Sequence, residues 1–519
     1  MGIIRNQSIK STVITFIGFA IGAINIVFVM PRYFTSIQYG LITVFIAFAT
    51  QIVTIGNLGM GVVTNKFLPY YRVYLEPKKR DLLTIALVVG TLGMLLVLGL
   101  SYLNRDLIVR KFIKNAPLFV EYMYLFPLFA MGYFYYYVFE SFNNNYKFTV
   151  WSSFVRELFY KFFNLSAALL FAAGWLSFHG VMDLYLIMYW TGALLLILNL
   201  YYNKLLYIPL KISTLTRKLR RNIAKYSLST WGTSILSVTF QFVDTFAIAG
   251  LIGLGEAGIY SIVKFIISPI VIPGNSVITI SIPLISDAWR RNDRAKIQEI
   301  YKKSALTLVI ICGFIFFLIW SSVNDILHIL PDRFFGTPHI FYEAKFALLI
   351  LGIMRVCDFA TSVNSHILQT SRKYYWVDLW CNIISVIISI PINYFLIKKF
   401  SIIGAATAFI ILSFMANSFK TIYLYAKEKI HPFSRKWLLL LIVGLIGIFV
   451  SYMLNLGFNI SWFHIQNHSV ISLLARIITR SILLCVIFVP IIYGLNISDD
   501  ITGTINLFKN QFLKKIGRG

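Results

Sequence analysis

The sequence predicts an all-α membrane protein with about fourteen transmembrane helices. Its composition is the first reason: 58% of the 519 residues are hydrophobic and only 13% are charged, a balance that a soluble domain cannot bury. The second is length, because the apolar runs extend over roughly 18 to 25 residues and match about 30 Å of hydrocarbon. The third is continuity, because strands of a membrane β-barrel would alternate in polarity.

Each predicted span is one such apolar run. The first run follows Arg5 and Lys10 and has no small-residue cleavage site, which favours a retained first helix over a signal peptide. The spans lie near residues 11–31, 38–62, 82–103, 117–140, 151–174, 182–204, 227–252, 258–283, 304–324, 346–369, 377–397, 402–425, 437–457 and 471–495.

The distribution of Lys and Arg orients these spans. With the N-terminus inside, the inside segments contain roughly 31 basic residues and the outside loops about 8, so we expect both termini in the cytoplasm. The net charge of +27, from 47 basic and 20 acidic residues, then indicates topology and attraction to anionic membrane lipids rather than nucleic-acid binding. One loop departs from the rule: Arg105, Arg110, Lys111 and Lys114 fall outside, which marks the third and fourth spans as the place to look for an error.

An internal repeat divides the chain. An ungapped shift of 218 residues places Gln38–Leu41 on Glu256–Ile259, Gly56-Asn57 on Gly274-Asn275, and Arg72 on Arg290. The shift carries span 1 onto span 7, so the two copies have the same orientation, as in transporters built from parallel repeats. We predict a six-helix lobe at 1–204, a basic cytoplasmic linker at 205–226, a second six-helix lobe at 227–425, and two additional helices with a basic cytoplasmic tail at 426–519.

Several short motifs carry a resemblance to a known superfamily. The second half contains Gln241-Phe242-Val243-Asp244-Thr245-Phe246, Glu256-Ala257-Gly258-Ile259-Tyr260-Ser261 and Ile282-Pro283-Leu284-Ile285-Ser286, and the first half contains Tyr39-Gly40-Leu41 and Leu58-Gly59-Met60-Gly61. Over nearly the whole chain the sequence resembles the multidrug/oligosaccharidyl-lipid/polysaccharide (MOP) exporter superfamily, in particular its bacterial polysaccharide flippase branch. The resemblance implies fourteen helices in two lobes, a cationic cavity for a diphosphate-sugar headgroup, and a place in the bacterial cytoplasmic membrane.

Charged residues inside the spans are the candidate site residues, because each costs about 2.5 to 3.5 kcal/mol at mid-bilayer. We expect a cationic cavity that binds the phosphates through Arg156, Lys161, Lys264 and Arg355. We expect coupling or charge balance from Asp244, Glu157 and Asp358. Arg476 and Arg480, four residues apart on one helix face, suggest a groove for lipid phosphates.

Structural roles compete with each of these assignments. Glu157 and Lys161 share a helix face and can neutralise each other, which would leave Arg156 without a local partner. Arg355 and Asp358 can pair in the same way, whereas Lys264 and Lys420 can extend to the membrane interface. Asp244 has no basic neighbour on its own helix face and could pair with Lys264 or Arg355, or titrate to couple transport to H⁺ or Na⁺.

The predicted function is a flippase for undecaprenyl-diphosphate-linked oligosaccharide units, working by alternating access in the assembly of O-antigen, capsule or exopolysaccharide. Two alternatives stay open: a multidrug cation antiporter of the same superfamily, and a polytopic polysaccharide polymerase or glycosyltransferase. The short loops argue against an enzyme. We predict no metal site and no cofactor, and as partners the lipid-linked oligosaccharide together with polymerase and glycosyltransferases of the same pathway. The sequence does not distinguish lipid II from a surface-polysaccharide unit.

Overall fold

Helices dominate the computed structural model, which describes residues 2–361, 363–371, 373–434, 436–460, 470–495, 502–503 and 506. The predicted all-α membrane fold is confirmed. In chain order the helices are α1 (Gly2–Ala23), α2 (Met30–Tyr33), α3 (Ser36–Gly56), α4 (Met60–Tyr74), α5 (Leu82–Leu103), α6 (Arg105–Phe112), α7 (Pro117–Glu121), α8 (Phe126–Asn145), α9 (Thr149–Ser153), α10 (Tyr160–Ala172), α11 (Phe178–Tyr202), α12 (Thr214–Leu251), α13 (Leu254–Ile267), α14 (Val271–Arg290), α15 (Arg294–Ser321), α16 (Val323–His328), α17 (Asp332–Phe335), α18 (Pro338–Ala360), α19 (Asn364–Thr370), α20 (Tyr375–Glu428), α21 (Lys436–Ile460) and α22 (Val470–Gly494). Two π-helical segments, Ile24–Val29 and Phe154–Phe159, extend α1 and precede α10.

Each predicted span lies on a helix, although some helices are divided or merged. In the described chain, ten helices are long and apolar enough to cross a membrane. Of the other four spans, three are explained by a break or a merger and one lies on a helix whose described apolar part is shorter. Span 151–174 is divided by a π-helical segment, 346–369 falls on the bent pair α18 and α19, and 437–457 lies on α21. The 54-residue α20 contains both 377–397 and 402–425, with the non-helical Ser401 (φ 53°) between them.

The chain divides into two compact units, Met1–Ile259 and Tyr260–Gly519, and the division falls inside α13. The predicted lobe boundaries stay a prediction. The helix α12 begins at Thr214, so the second half of the predicted linker 205–226 is helical. The basic tail lies outside the described residues from 507 onward.

Unit 1 is organised around α3. This helix begins with a reciprocal cap, in which Thr35 Oγ1 accepts from the Gln38 backbone N–H and Gln38 Oε1 accepts from the Thr35 N–H. It ends before Leu58 (φ 49°) and Gly59 (φ 76°), whose left-handed conformations turn the chain into α4. The buried Phe45 ring packs edge-on against rings of the next helices, at 5.6 Å from Phe126.

The basic loop after α5, which departs from the charge rule, lies beside the C-terminal end of α12 in unit 1. Its short helix α6 exposes Arg105, Arg110 and Lys111, and the Asn115 side chain donates to the Gly250 carbonyl (3.0 Å) at the C-terminal end of α12. The predicted topology places the end of span 7 and this loop on the same side. The two flanking spans are both helical and are long and apolar enough to cross a membrane.

A buried polar cluster fixes the other end of α12. The Asp81 carboxylate accepts from the Ser213 N–H (2.8 Å) and from Thr216 Oγ1 (2.9 Å), and the Tyr71 hydroxyl lies 2.5 Å from Thr216 Oγ1. Burial raises the pKa of the Tyr71 phenol. These contacts satisfy the first turn of α12 and secure the basic linker to α4 and α5.

Unit 2 contains two apolar clusters. One surrounds the fully buried Tyr301 on α15 and includes Val363 and Leu424. The other joins α15 to the C-terminal helices through Phe488 and Leu484. The turn between α14 and α15 uses Asn292 in the left-handed region (φ 57°), and Asp293 caps α15 by accepting from the Lys296 N–H (2.9 Å).

The 218-residue repeat is visible in the helices themselves. The start of α3 at Ser36 corresponds to the start of α13 at Leu254, and the two matched glycines, Gly40 and Gly258, lie against each other in unit 1. An ideal Cβ on Gly258 would be 2.5 Å from the Ser36 carbonyl oxygen and 2.9 Å from the Gly40 nitrogen. The close crossing of α3 and α13 therefore depends on glycine at both matched positions.

Candidate functional site

Arg156 is held by carboxylates from two helices. Its NH1 lies 2.7 Å from Glu140 Oε1 on α8, and its Nε lies 3.0 Å from the adjacent Glu157 Oε1. The expectation that Arg156 lacks a local partner is wrong. The expected Glu157–Lys161 pair is wrong as well, because Glu157 pairs with Arg156 instead. The other carboxylate, Glu140, belongs to α8, and helical spacing within one span could not predict that α8 packs here.

Arg156 nevertheless remains open to an external ligand. Its side chain is 49% exposed, whereas Glu140 is 12% and Glu157 is 21% exposed. The residue lies in the π-helical segment Phe154–Phe159, which packs against α1; such segments are frequent at functional sites. An ideal Cβ on Gly18 of α1 would lie 2.9 Å from Glu157 Cβ, so the small residue permits this close approach.

Lys161 lies one turn further along, beside α1. An ideal Cβ on Gly22 would be 3.4 Å from Lys161 Cδ, so the lysine stem occupies the space that this glycine leaves. No carboxylate of the described residues lies within ion-pair distance of its Nζ. Arg156 and Lys161 thus share one stretch of span, as predicted, with Lys161 the less neutralised of the two.

A group of tyrosines packs next to this stretch. The rings of Tyr136 and Tyr160 are 5.0 Å apart, and Tyr189 lies 5.2 Å from Tyr160 and 4.9 Å from Tyr133. The Tyr160 hydroxyl is buried without a hydrogen-bond partner among the described residues. Tyr136 is buried and faces Tyr160 of α10 and Tyr189 of α11.

Asp244 is buried on α12, with 1% of the residue exposed. Its Oδ1 accepts from the backbone N–H (2.7 Å) and the hydroxyl (3.3 Å) of Thr245. Its role in coupling or charge balance stays a prediction.

Lys264 lies on α13, ten residues after the helix begins, and its Nζ is 5.2 Å from the centre of the Tyr260 ring. The residue is half-buried. Depth in the helix and contact with an aromatic face are consistent with the sequence argument that Lys264 is not a loop residue.

Arg355 and Asp358 form the predicted pair on α18, but loosely, at 3.7 Å. Asp358 also accepts from Asn417 Nδ2 (2.6 Å) and from the Ser413 hydroxyl, both on α20. The Arg355 guanidinium lies 5.6 Å from the Phe409 ring centre and its side chain remains 31% exposed. Asp358 is thus mainly a link between α18 and α20, which leaves Arg355 partly available.

Comparison with known proteins places this arrangement in context. Residues 230–395 match the model of the MatE family. The structure is similar to that of "Lipid II flippase MurJ, inward closed conformation", with a TM-score of 0.71 and 16% identity over 94% of this chain and 99% of that chain. It is also similar to an inward-facing multidrug resistance MATE family transporter of the MOP superfamily, with a TM-score of 0.64 and 12% identity over 79% of this chain and 95% of that chain. No curated protein matches the sequence.

The chain has the MOP-superfamily fold. The resemblance seen in the sequence motifs is confirmed at the level of the fold, with a MatE match over residues 230–395 and structural similarity to a lipid II flippase and to a MATE transporter of the MOP superfamily. The branch and the substrate are separate questions.

Within this MOP fold, the structure contains a buried ion pair that the sequence argument missed. Lys420 Nζ lies 2.7 Å from Asp378 Oδ1, and the two side chains are 6% and 5% exposed. Gln369 donates to the same carboxylate (2.8 Å), and Lys420 also donates to Ser365 (2.9 Å). The prediction that Lys420 extends to the interface is therefore wrong. The available signal was one unpaired charge on each of two neighbouring apolar spans.

The two arginines of α22 converge on one acid. Arg480 NH1 lies 2.7 Å from Asp325 Oδ2 and donates to the Ser321 carbonyl (3.0 Å), and Arg476 NH1 lies 3.6 Å from Asp325 Oδ1. Asp325 on α16 thus compensates the two like charges. Arg480 is 3% exposed and fastens α22 to the rest of unit 2. The lipid-groove role stays an untested prediction.

Proposed function

We propose that the protein is a flippase that moves undecaprenyl-diphosphate-linked oligosaccharide units across the bacterial cytoplasmic membrane for surface-polysaccharide assembly. The main support for this proposal is that some cations of the spanning helices are buried in ion pairs whereas others are exposed. Lys420 and Arg480 are buried in ion pairs, whereas Arg156 and Arg355 keep 49% and 31% of their side chains exposed although they lie in apolar helices.

The exposed guanidinium groups of Arg156 and Arg355 lie in spanning helices. A cation that faces hydrocarbon is costly, so its exposed surface is expected to face an aqueous space. A guanidinium binds two phosphate oxygens at once, and Arg156 is already oriented by Glu140 and Glu157. Such a cation is suited to the diphosphate of a lipid-linked sugar, with Lys161 and Lys264 as further cations and Asp244 as the residue for charge balance or coupling to H⁺ or Na⁺.

The extent of the structural similarity supports the same proposal. The lipid II flippase matches 94% of this chain, whereas the MATE transporter matches 79%. A flippase of this length has room for the two C-terminal helices α21 and α22 beside two six-helix lobes. Lipid II itself is an alternative cargo with the same diphosphate chemistry.

One observation favours a second function, a multidrug cation antiporter. Glu140 and Glu157 lie beside the tyrosine group of Tyr133, Tyr136, Tyr160 and Tyr189, and carboxylates with aromatic rings are suited to organic cations. Arg156 neutralises much of that acidity, which makes this function the weaker candidate.

The deciding experiment compares a deletion strain with its complemented derivatives. Loss of the protein should cause complete repeat units to accumulate on undecaprenyl diphosphate while the surface glycan disappears, as read by mass spectrometry and surface staining. Arg156→Ala and Arg355→Ala should fail to complement, and Arg110→Ala, on the exposed helix α6, is the matched arginine control. Truncated units would indicate a transferase. Unchanged glycan with new drug sensitivity would indicate the antiporter.

A further inference from the structure

Unit 2 contains a cavity of about 660 Å³ that the transport proposal does not use. Its walls come from four chain segments: the end of α14, the start of α15, the residues 370–371 with 373–374, and the last turn of α20. The predicted topology places all four segments at the cytoplasmic side. The volume lies within the range of about 300 to 1,000 Å³ that is typical of small-molecule sites.

Three cations from three of these segments border the cavity: Arg290, Arg294 and Lys373. The two acids on its wall are already engaged. Asp287 binds Arg290 (2.7 Å) and also Arg291 (2.8 Å), which lies next to the cavity wall. The cations on the wall thus outnumber the acids by three to two, and Arg291 beside the wall adds to this positive excess.

The second acid, Glu428, orients one of the cations. Arg294 Nε lies 2.7 Å from Glu428 Oε2, and the Tyr374 hydroxyl donates to Glu428 Oε1 (2.6 Å). The hydrogen bond to Glu428 raises the pKa of Tyr374, so this phenol stays a donor. The Arg294 side chain remains 58% exposed beside this contact, and a guanidinium oriented in this way is suited to an oxyanion.

The cavity wall is rigid. Ser371 Oγ accepts from the backbone N–H groups of Lys373 (3.2 Å) and Tyr374 (3.3 Å), which fixes the turn that carries the lysine. Trp289 Nε1 donates to the Ile367 carbonyl (2.9 Å) and holds the end of α14 against α19. Binding groups that are fixed before the ligand arrives lose little entropy on binding.

We propose that this cavity is a binding site for a phosphoryl-bearing anion, with Arg294, Arg290 and Lys373 as its ligands. It is distinct from the span cations and goes beyond the proposed transport. Pro283 and Ser286, from the sequence motif Ile282–Ser286, line it as well, which assigns that motif a place in a site. The anion can be a soluble phosphate compound or the headgroup of an anionic lipid, since both present the same oxygens.

The test measures binding of inorganic pyrophosphate to the purified full chain in a neutral detergent by titration calorimetry, with sulfate as the second anion. Arg290→Ala and Lys373→Ala should each weaken pyrophosphate binding about tenfold or more, as expected for loss of a charge-assisted hydrogen bond. Neither variant removes a partner of the buried Glu428. Lys296→Ala is the matched control, because Lys296 lies on α15, pairs with Glu299 (3.0 Å) and does not line the cavity.

A second arm distinguishes the two sources. The chain is reconstituted in nanodiscs of phosphatidylcholine with or without phosphatidylglycerol, and bound lipid is counted by native mass spectrometry. Pyrophosphate binding that both variants weaken supports a soluble ligand. Retention of phosphatidylglycerol that both variants weaken, without pyrophosphate binding, supports a headgroup site. Absence of both, or a loss that Lys296→Ala reproduces, would overturn the proposal.

Discussion

Lys420 and Arg156 illustrate two ways in which a spanning helix can accommodate a cation. Lys420 loses its water and gains Asp378 at 2.7 Å together with polar partners, so its charge is compensated inside unit 2. Arg156 keeps half of its side chain exposed while two carboxylates fix its direction. The first arrangement stabilises the fold, and the second leaves a positive charge available to a ligand.

Removal of Lys420 should therefore destabilise the protein strongly. In Lys420→Ala, Asp378 stays buried without its cation, and we expect a loss of about 3 to 5 kcal/mol in the free energy of unfolding. Denaturation in detergent, followed by tryptophan fluorescence, measures it. Lys296→Ala breaks an exposed pair and should cost no more than about 1 kcal/mol. Similar losses in the two variants would contradict the assignment of a buried pair.

Substitution of Arg156 should reduce transport activity more than it reduces stability. Arg156 is 49% exposed but Glu140 and Glu157 are only 12% and 21% exposed, so Arg156→Ala should lower the free energy of unfolding by about 1 to 3 kcal/mol, less than Lys420→Ala. Flipping of a fluorescent lipid-diphosphate sugar in proteoliposomes should fall at least tenfold if one charge-assisted phosphate contact is lost. Arg110→Ala controls for charge, and full flipping by Arg156→Ala would remove this residue from the site.

At the scale of the helices, the α3–α13 crossing depends on the absence of side chains. Gly40 and Gly258 are matched by the repeat and touch each other, so the same residue type solves the same steric problem in both copies. The breaks inside the matched helices differ, however. In the first copy the break lies at Leu58 and Gly59, and in the second a 3₁₀ segment occupies Ser268–Ile270.

Gly258→Ala should separate α3 from α13. The new Cβ would lie 2.5 Å from the Ser36 carbonyl oxygen, which is backbone and cannot rotate away, so we expect a loss of about 1 to 3 kcal/mol. Thermal unfolding in detergent provides the measurement. Gly99→Ala on α5 is the matched control, because a Cβ there meets nothing within 4 Å and should be neutral or slightly stabilising. An unchanged melting temperature for Gly258→Ala would show that the crossing can relax.

At the scale of the whole molecule, the distribution of basic residues predicts an orientation with one exception, the loop that contains α6. The structure joins this loop to the C-terminal end of α12 through Asn115 and Gly250, which agrees with the predicted side. On the predicted orientation its four cations lie outside, against the general preference for basic residues in cytoplasmic loops. The remaining inside segments are basic enough to determine the orientation.

Cysteine labelling tests this orientation. In a variant without the four native cysteines, a membrane-impermeant maleimide should label Lys111→Cys in intact cells. It should label Lys296→Cys only after permeabilisation. Both positions are exposed in the structure, so access to reagent differs only by side of the membrane. Labelling of both in intact cells would contradict the predicted topology.

The sequence by itself determined the class of fold and the location of most spanning helices, because burial in a membrane demands about twenty continuous apolar residues and this demand is local. It also identified the unusual charges, since any ionisable residue inside such a run stands out against its neighbours. The Arg355–Asp358 pair could be predicted for the same reason, as both residues belong to one helix.

Only the tertiary structure decided which charge meets which. Glu140 reaches Arg156, Asp378 reaches Lys420, and Asp325 reaches Arg480 from other helices, at sequence separations of 16, 42 and 155 residues. Helical spacing predicts neighbours three or four residues apart and carries no information about which helices pack together. The exposure of Arg156 and the burial of Lys420 follow from that packing, and with it the division between residues that hold the fold and residues that can bind a ligand.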